Sequence, residues 1–298
     1  MRVTFNTSYR EGSADIALAA QRLADAQRQV SSTHRINVAS DDPAAAASVI
    51  DQQGSIARID AYTAANDAAS SRLNVADSVL SDVINKITAA QTTALGAQGS
   101  TVTASQRNAA VQQLNALRDA LLSDVNTQFK GTYLFGGTNV AVAPYTQAPN
   151  GTVSAYQGNT TAAAVDVDAT RSVPLTFDGS RILQGSDPTD VFSALSALTT
   201  AVGAGDNPGI SVGLAALGRA LDRSTVAQTA VGNALNTIDA AGTQLASARL
   251  DAGARVSKLQ DADMAVAITE MTRAQNAYSA ALGAFATVGK LSLMDYLK

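Results

Sequence analysis

The 298-residue chain has no cysteine and no tryptophan, and only one histidine. Without cysteine there can be no disulfide, no thiolate metal ligand and no cysteine nucleophile. That leaves the compartment open, because disulfide-free proteins occur on both sides of a cell envelope. Aromatic residues make up 4% of the chain, so a thick globular core is hard to fill. An alanine-dominated, aromatic-poor chain packs thin helix pairs more readily. Charged residues reach only 15%, with a net charge of −4 and no basic cluster. Neither nucleic acid nor an anionic membrane is therefore an expected partner. No run approaches the ~18 apolar residues of a membrane span. Residues 1–10 hold no apolar stretch long enough for a cleaved secretory signal, so any export is expected to use another route.

What the chain does have is heptad periodicity. Met264, Ile268, Met271, Gln275, Tyr278, Leu282 and Phe285 step by four and three, the spacing that keeps one helical stripe facing a partner helix. A stripe of small residues, Ala267, Ala274, Ala281 and Val288, runs beside it. The apolar pattern continues through Leu291, Leu293, Met294, Tyr296 and Leu297, which implies that something covers it. Near the other end Ile16, Ala19, Leu23, Ala26 and Val30 form an answering seam on a helix expected from about Tyr9 to Thr33, after an extended stretch 1–8. Each seam is too narrow to be a core alone. The two ends are expected to pair, to order on assembly, and to present their remaining apolar surface to neighbouring molecules.

Between the ends, Asp42-Pro43 is a helix start: the carboxylate caps free N–H groups and proline suits the first turn. A helix is expected from Pro43 to about Gly96, with Leu73, Ala76, Leu80, Val83, Ile87, Ala90 and Ala94 as its seam. Such a helix would be about 80 Å long. A second, from about Ser105 to Gln128, folds back on it. The glycine-bounded GTYLFGGTN stretch, Gly131 to Asn139, reads as a short strand with a tight turn. From 140 to 206 prolines and glycines punctuate three β-like runs, 152–157, 163–168 and 172–177, before a short helix Val191–Val202. Helical periodicity returns with Leu214, Leu217 and Leu221, then Val231, Leu235, Ile238, Gly242 and Leu245, antiparallel to the outgoing helix. The expected fold is mainly α: an elongated antiparallel helical rod or coiled coil formed from both chain ends, with a small inserted β-rich domain. The boundaries read as 1–42, 43–139, 140–206, 207–259 and 260–298.

Catalytic chemistry finds no constellation. His34 lacks a cysteine, a second histidine or an acidic cluster at ligand spacing. Asp41–Asp42 and Asp261–Asp263 sit at expected helix starts, where capping is the ordinary role of aspartate. The glycines of YLFGG are not followed by Gly-Lys-Ser/Thr, so they form a turn and not a phosphate cradle. No enzyme activity, metal or cofactor is expected.

Ser31, Arg35, Ile36, Asn37, Asp41, Asp42 and Ala44 form an S-x-x-x-R-I-N-x-x-x-D-D-x-A pattern that resembles the signature of the flagellin superfamily. Pro43, the run Tyr133-Leu134-Phe135-Gly136-Gly137 and the closing LSLMDYL resemble the hook-associated branch of that superfamily, with Met294 a departure. Tyr156-Gln157-Gly158-Asn159 is similar to its Y-x-G-D element, with Asn159 a departure. The resemblance covers about 1–140 and 207–298. It implies a structural subunit of the bacterial flagellum at the junction of hook and filament, located outside the cell. It implies unfolded export without a cleaved signal, lateral packing of the terminal helices, and a homo-oligomeric ring. Implied partners are the hook-side junction protein, flagellin and an export chaperone for the C-terminal helix. A short flagellin of the filament proper and a cytoplasmic helical scaffold are the alternatives. The expected assembly residues are Ile16, Leu23, Val30, Met264, Ile268, Met271, Tyr278, Leu282, Phe285, Leu291, Leu293 and Leu297.

Overall fold

The computed structural model describes residues 5–149 and 151–296, with side chains for residue 7 and for 9–149 and 151–287. Helix α1 (Phe5–Ser32) begins four residues before the expected Tyr9, because no proline or glycine interrupts the chain before Gly12. Three expected helices follow as α2 (Pro43–Gly96), α3 (Ala104–Val125) and α5 (Val191–Ala204). Helix α6 (Asn207–Gln260) starts earlier than Leu214, with Pro208 in its first turn, and α7 spans Met264–Tyr296. The β content is two hairpins: β1 (Gln128–Phe129) with β2 (Thr132–Tyr133), and β3 (Ala164–Asp166) with β4 (Ser172–Pro174). A short helix, α4 (Gly179–Leu183), was not anticipated; Asp178 caps it by accepting from the Ser180 N–H at 2.9 Å.

The chain divides into two compact units, Met1–Arg58 with Ser247–Lys298, and Ile59–Ala246. The second holds the main core. Ala69, Leu73, Ala76, Leu80, Val83, Ile87, Ala90 and Ala94 of α2 are all buried, each at 0 or 1% exposure, and step by four and three without a break. Against α2 lie Leu114, Leu121 and Val125 of α3 and Ile210, Leu217, Val231 and Ile238 of α6. Lys86 and Asp124 pair across α2 and α3 at 2.5 Å, and the Gln98 amide donates to Ser211 Oγ at 3.2 Å, which fixes the antiparallel directions.

The stretch 140–206 carries the β3–β4 hairpin, α4 and α5, and its apolar side chains pack into the core of the second unit. Tyr145, Val167, Val173, Phe192 and Leu198 belong to the same core cluster as Leu73 and Ile87. Arg72 of α2 fastens the two together, donating to Leu175 O (2.7 Å), Thr132 Oγ1 (2.8 Å) and Tyr133 O (3.1 Å). The run 152–157 is not a strand. Val153 makes one isolated bridge to Gln147, and the Gln157 N–H goes to Pro144 O at 2.9 Å, so its hydrogen bonds are spent on loops.

The first unit is differently built. Both terminal stretches are helical, and α1 runs antiparallel to α7, with the Tyr9 and Phe285 rings 5.0 Å apart. Among its described residues only Ile36, Val49, Ala252 and Ala267 are buried apolar side chains. Leu18, Val266, Ile268 and Leu282 stand exposed on this pair.

Candidate assembly surface

The α1–α7 pair starts from the two seams. On α1 Gly12, Ile16, Ala19, Leu23, Ala26 and Val30 are half-buried, and this is the stripe read from the sequence, extended by Gly12. A Cβ on Gly12 would come within 2.8 Å of the Phe285 ring, so the missing side chain is what lets that ring sit against α1. On α7 the inward stripe is Met264, Ala267, Met271, Ala274, Tyr278, Ala281 and Phe285. Four of the expected seam residues lie on it: Met264, Met271, Tyr278 and Phe285. The other three, Ile268, Gln275 and Leu282, do not. Ile268 and Leu282 stand 48% and 42% exposed, and alanines from the neighbouring stripe take these places. Small residues let two helices approach closely, so the alanine phase wins over the bulkier one. Leu297 and the side chains of Leu291 and Leu293 lie outside the described residues.

A clasp closes this unit where α1 meets α2 and α6 meets α7. The Arg35 N–H donates to Gln260 O at 2.7 Å, and the Ala262 N–H to Thr33 O at 2.9 Å. His34 Nδ1 lies 3.1 Å from Asp261 Oδ1, so the one histidine is a tether. The Arg35 guanidinium reaches Asp42 at 3.1 Å and Leu259 O at 2.9 Å. Ile36 is buried, and the Asn37 amide donates to His34 O at 3.0 Å.

The four aspartates divide by role. Asp42 caps α2 by accepting from the Ala45 N–H at 3.1 Å, and Asp263 caps α7 through Ala265 N–H at 2.9 Å. Asp41 and Asp261 do not cap helices. Asp41 accepts from the Asn37 and Val38 N–H groups at 2.9 and 3.0 Å and holds the loop, while Asp261 binds His34 and the Ser257 hydroxyl. Hydrogen bonds from Val38 and Asn37 lower the Asp41 pKa, and those from Ala45 and Arg35 lower that of Asp42.

In the second unit the two other motifs meet. Lys130 and Gly131 both take positive φ, 49° and 79°, giving the two-residue turn that leads β2 into Leu134 and Phe135. The Tyr156 hydroxyl donates to Phe135 O at 2.8 Å, and burial pushes its pKa up to about 12. Asn159 Oδ1 accepts from the Thr138 N–H at 2.9 Å, and its own N–H goes to Gly136 O at 3.1 Å. Tyr133 is half-buried, and Leu134 and Phe135 are core residues. Gly136 and Gly137 permit the close approach: a Cβ on Gly137 would lie 2.2 Å from Asn159 O. This knot of residues 133–139 and 156–159 is structural. Sequence reading named both motifs but had no signal that they touch.

An apolar groove of about 710 Å³ lies beside α6 in the same unit, lined by Phe177, Ile182, Val226 and Ala227 among others. Among the described residues no three acidic or histidine side chains gather as a metal site would require.

A helix pair held by alternating small and large residues, an arginine–aspartate clasp and a second helical unit define a class, and comparison with known proteins agrees. The profile of the bacterial flagellin N-terminal helical region matches residues 3–140, and that of the C-terminal helical region matches 214–297. The chain belongs to the flagellin family. Within that family its similarities are to hook-associated proteins. It is 27% identical over 293 residues to flagellar hook-associated protein 3 of Escherichia coli (strain K12), covering 91% of each chain. Its fold matches a protein of Vibrio parahaemolyticus assigned as a flagellar hook-associated protein, with TM-score 0.69 at 19% identity over 74% of this chain and 100% of that one. It also matches flagellar hook-associated protein-3 of Legionella pneumophila, with TM-score 0.63 at 14% identity over 70% and 98%.

Proposed function

We propose that this chain is a structural subunit of the bacterial flagellum, set where the hook meets the filament. The observation that carries the reading is end-to-end similarity to a flagellar hook-associated protein, across both helical ends and the stretch between them. The α1–α7 pair supports it, because a helix pair in which Ala267 is the one buried apolar side chain among the described residues needs further partners to hide its apolar faces. Those partners are further copies in a ring, the hook-side junction protein on one side and flagellin on the other. Before assembly the apolar C-terminal helix is shielded by an export chaperone. The chain travels out unfolded without a cleaved signal and works outside the cell as a non-enzymatic part.

Deleting the gene tests this reading. Cells should keep hooks, lose filaments and shed unpolymerised flagellin into the medium, with the chain itself found in flagella purified from the parent strain. Filaments persisting in the deletion strain would point instead to a minor flagellin.

A further inference from the structure

The groove beside α6 belongs to the second unit alone and owes nothing to the terminal helix pair. Its volume of about 710 Å³ falls within the ~300–1,000 Å³ of ligand pockets. Three parts of the chain wall it: Pro174 and Phe177 at the end of the β3–β4 hairpin, Ile182 of α4, and Val226 and Ala227 of α6. The exposed lining is mainly apolar. Val226 stands 70% exposed there, an apolar side chain that a ligand would cover.

The charges on the lining divide into spent and unspent. Asp178 caps α4 by accepting from the Ser180 N–H at 2.9 Å. Arg223 donates to Asp187 at 2.9 Å and to Ile182 O at 3.2 Å, and so ties α4 to α6. Arg181 and Asp222 also line the groove. Both are exposed, and neither makes a hydrogen bond or ion pair with any described residue, each other included. The Thr160 and Ser186 hydroxyls on the lining are equally unspent. On an open surface such groups are simply solvated. Here they accompany an apolar concavity, the composition of a site that orients what it binds. A ligand of one sign gains from one of the two free charges and is repelled by the other. A ligand carrying both signs gains from both.

We propose that this groove is a binding site for a small apolar zwitterion, with a short apolar peptide as the chemical class that fits. Its carboxylate sits on Arg181, its ammonium on Asp222, and its side chains lie against Phe177, Ile182 and Val226. The Thr160 and Ser186 hydroxyls are there for its amide groups. Bound in this way the ligand bridges α4 and α6.

Trileucine, N-acetyl-trileucine and trileucine amide, titrated into the full-length chain by calorimetry, provide the test. Trileucine should bind one to one. Blocking either end should weaken binding about two- to fivefold, the range of an exposed ion pair. Arg181→Gln should weaken trileucine by the same factor and bring it level with its amide. Asp222→Asn should bring it level with the acetylated form. Both side chains are exposed, so the melting curve without peptide should stay that of the parent. Ala230→Trp, at an exposed position on the α6 wall, should weaken all three peptides by crowding the groove. Absence of saturable heat with trileucine would overturn the proposal, and so would equal affinity for the three peptides. Tighter binding of the acetylated form would make the groove an anion site and overturn the zwitterion. Affinities unchanged in every variant would place the peptide elsewhere on the chain, with the same consequence.

Discussion

Gly137 and Gly131 share a left-handed backbone, φ +64° and +79°, yet they carry different constraints. Around Gly131 nothing lies within 4 Å of where a Cβ would stand, whereas at Gly137 the Asn159 carbonyl oxygen is 2.2 Å away. Gly131→Ala should therefore cost only the left-handed strain, about 1 kcal/mol. Gly137→Ala must also break the contact between the two motif loops and should cost at least about 2 kcal/mol more. Urea unfolding of the two variants side by side checks this, and equal losses would remove the close approach as the reason for the second glycine. A different residue governs acid stability in the β3–β4 turn. Asp168 accepts from the Thr170 and Arg171 N–H groups at 2.7 and 2.8 Å and from the Arg171 guanidinium, which holds its pKa down to about 2. A depressed carboxylate contributes stability above its unfolded pKa, near 3.9, and loses it as pH falls through the folded value. Asp168→Asn should thus melt below the parent at pH 7, with the gap closing between about pH 4 and pH 2. A gap unchanged by pH would mean that the carboxylate charge has no part in it.

At the scale of elements, alanine decides the packing. Along α6 the buried positions are Ile210, Gly213, Leu217, Ala220, Ser224, Val231, Ala234, Ile238, Ala241, Leu245 and Ala252, all on one three-four phase that mixes large and small residues. Leu235, read from the sequence as a seam residue, is only half-buried beside it. The same substitution of phase occurs on α7, where Ala267 is buried and Ile268 is not. Overpacking a small seam position should accordingly hurt: Ala241→Leu should destabilise by about 1–3 kcal/mol. Leu235→Ala should cost less than the ~2–5 kcal/mol of a fully buried leucine, with the order reversed if the bulkier phase were the true contact. This is also where the sequence was legible and where it was not. The α2 seam from Leu73 to Ala94 came through whole, because its leucines, valine and isoleucine sit in phase with its alanines. On α6 and α7 bulkier residues stand one step off the seam, and a reading that follows size takes the wrong neighbour. Helix starts at Pro43 and Met264 were visible because Asp42 and Asp263 announce them. The joining of 140–206 to the helical core was not, since it depends on contacts such as Arg72 to the Leu175 carbonyl, 103 residues away, which leave no local trace.

At the scale of the whole molecule one unit is well buried and the other sparsely buried, and stability should divide in the same way. Residues Ile59–Ala246 hold the contiguous core of Leu73, Ile87, Leu114, Phe135, Phe192 and Leu217. Met1–Arg58 with Ser247–Lys298 has four described buried apolar residues, so its helices can open locally at little cost, and a protease acts on such openings first. Limited digestion of the isolated chain should remove both termini together, because α1 and α7 cover each other and neither keeps its seam alone. A fragment close to 59–246 should resist and should retain the main cooperative melting transition of the full chain. The same fragment should fail to enter flagella when produced in a deletion strain, since it lacks the terminal helix pair. If the ends of the isolated chain resist as long as the middle does, they are already sufficiently covered, and neighbouring copies are not what they require. If the ends are trimmed in the free chain but protected in purified flagella, their missing cover is supplied by assembly. The position of the first cuts then separates two origins of weakness. Cleavage at the clasp, near residues 33–42 and 260–263, would place the opening at the His34–Asp261 tether, whereas progressive cuts within α1 and α7 would place it in the alanine seam itself.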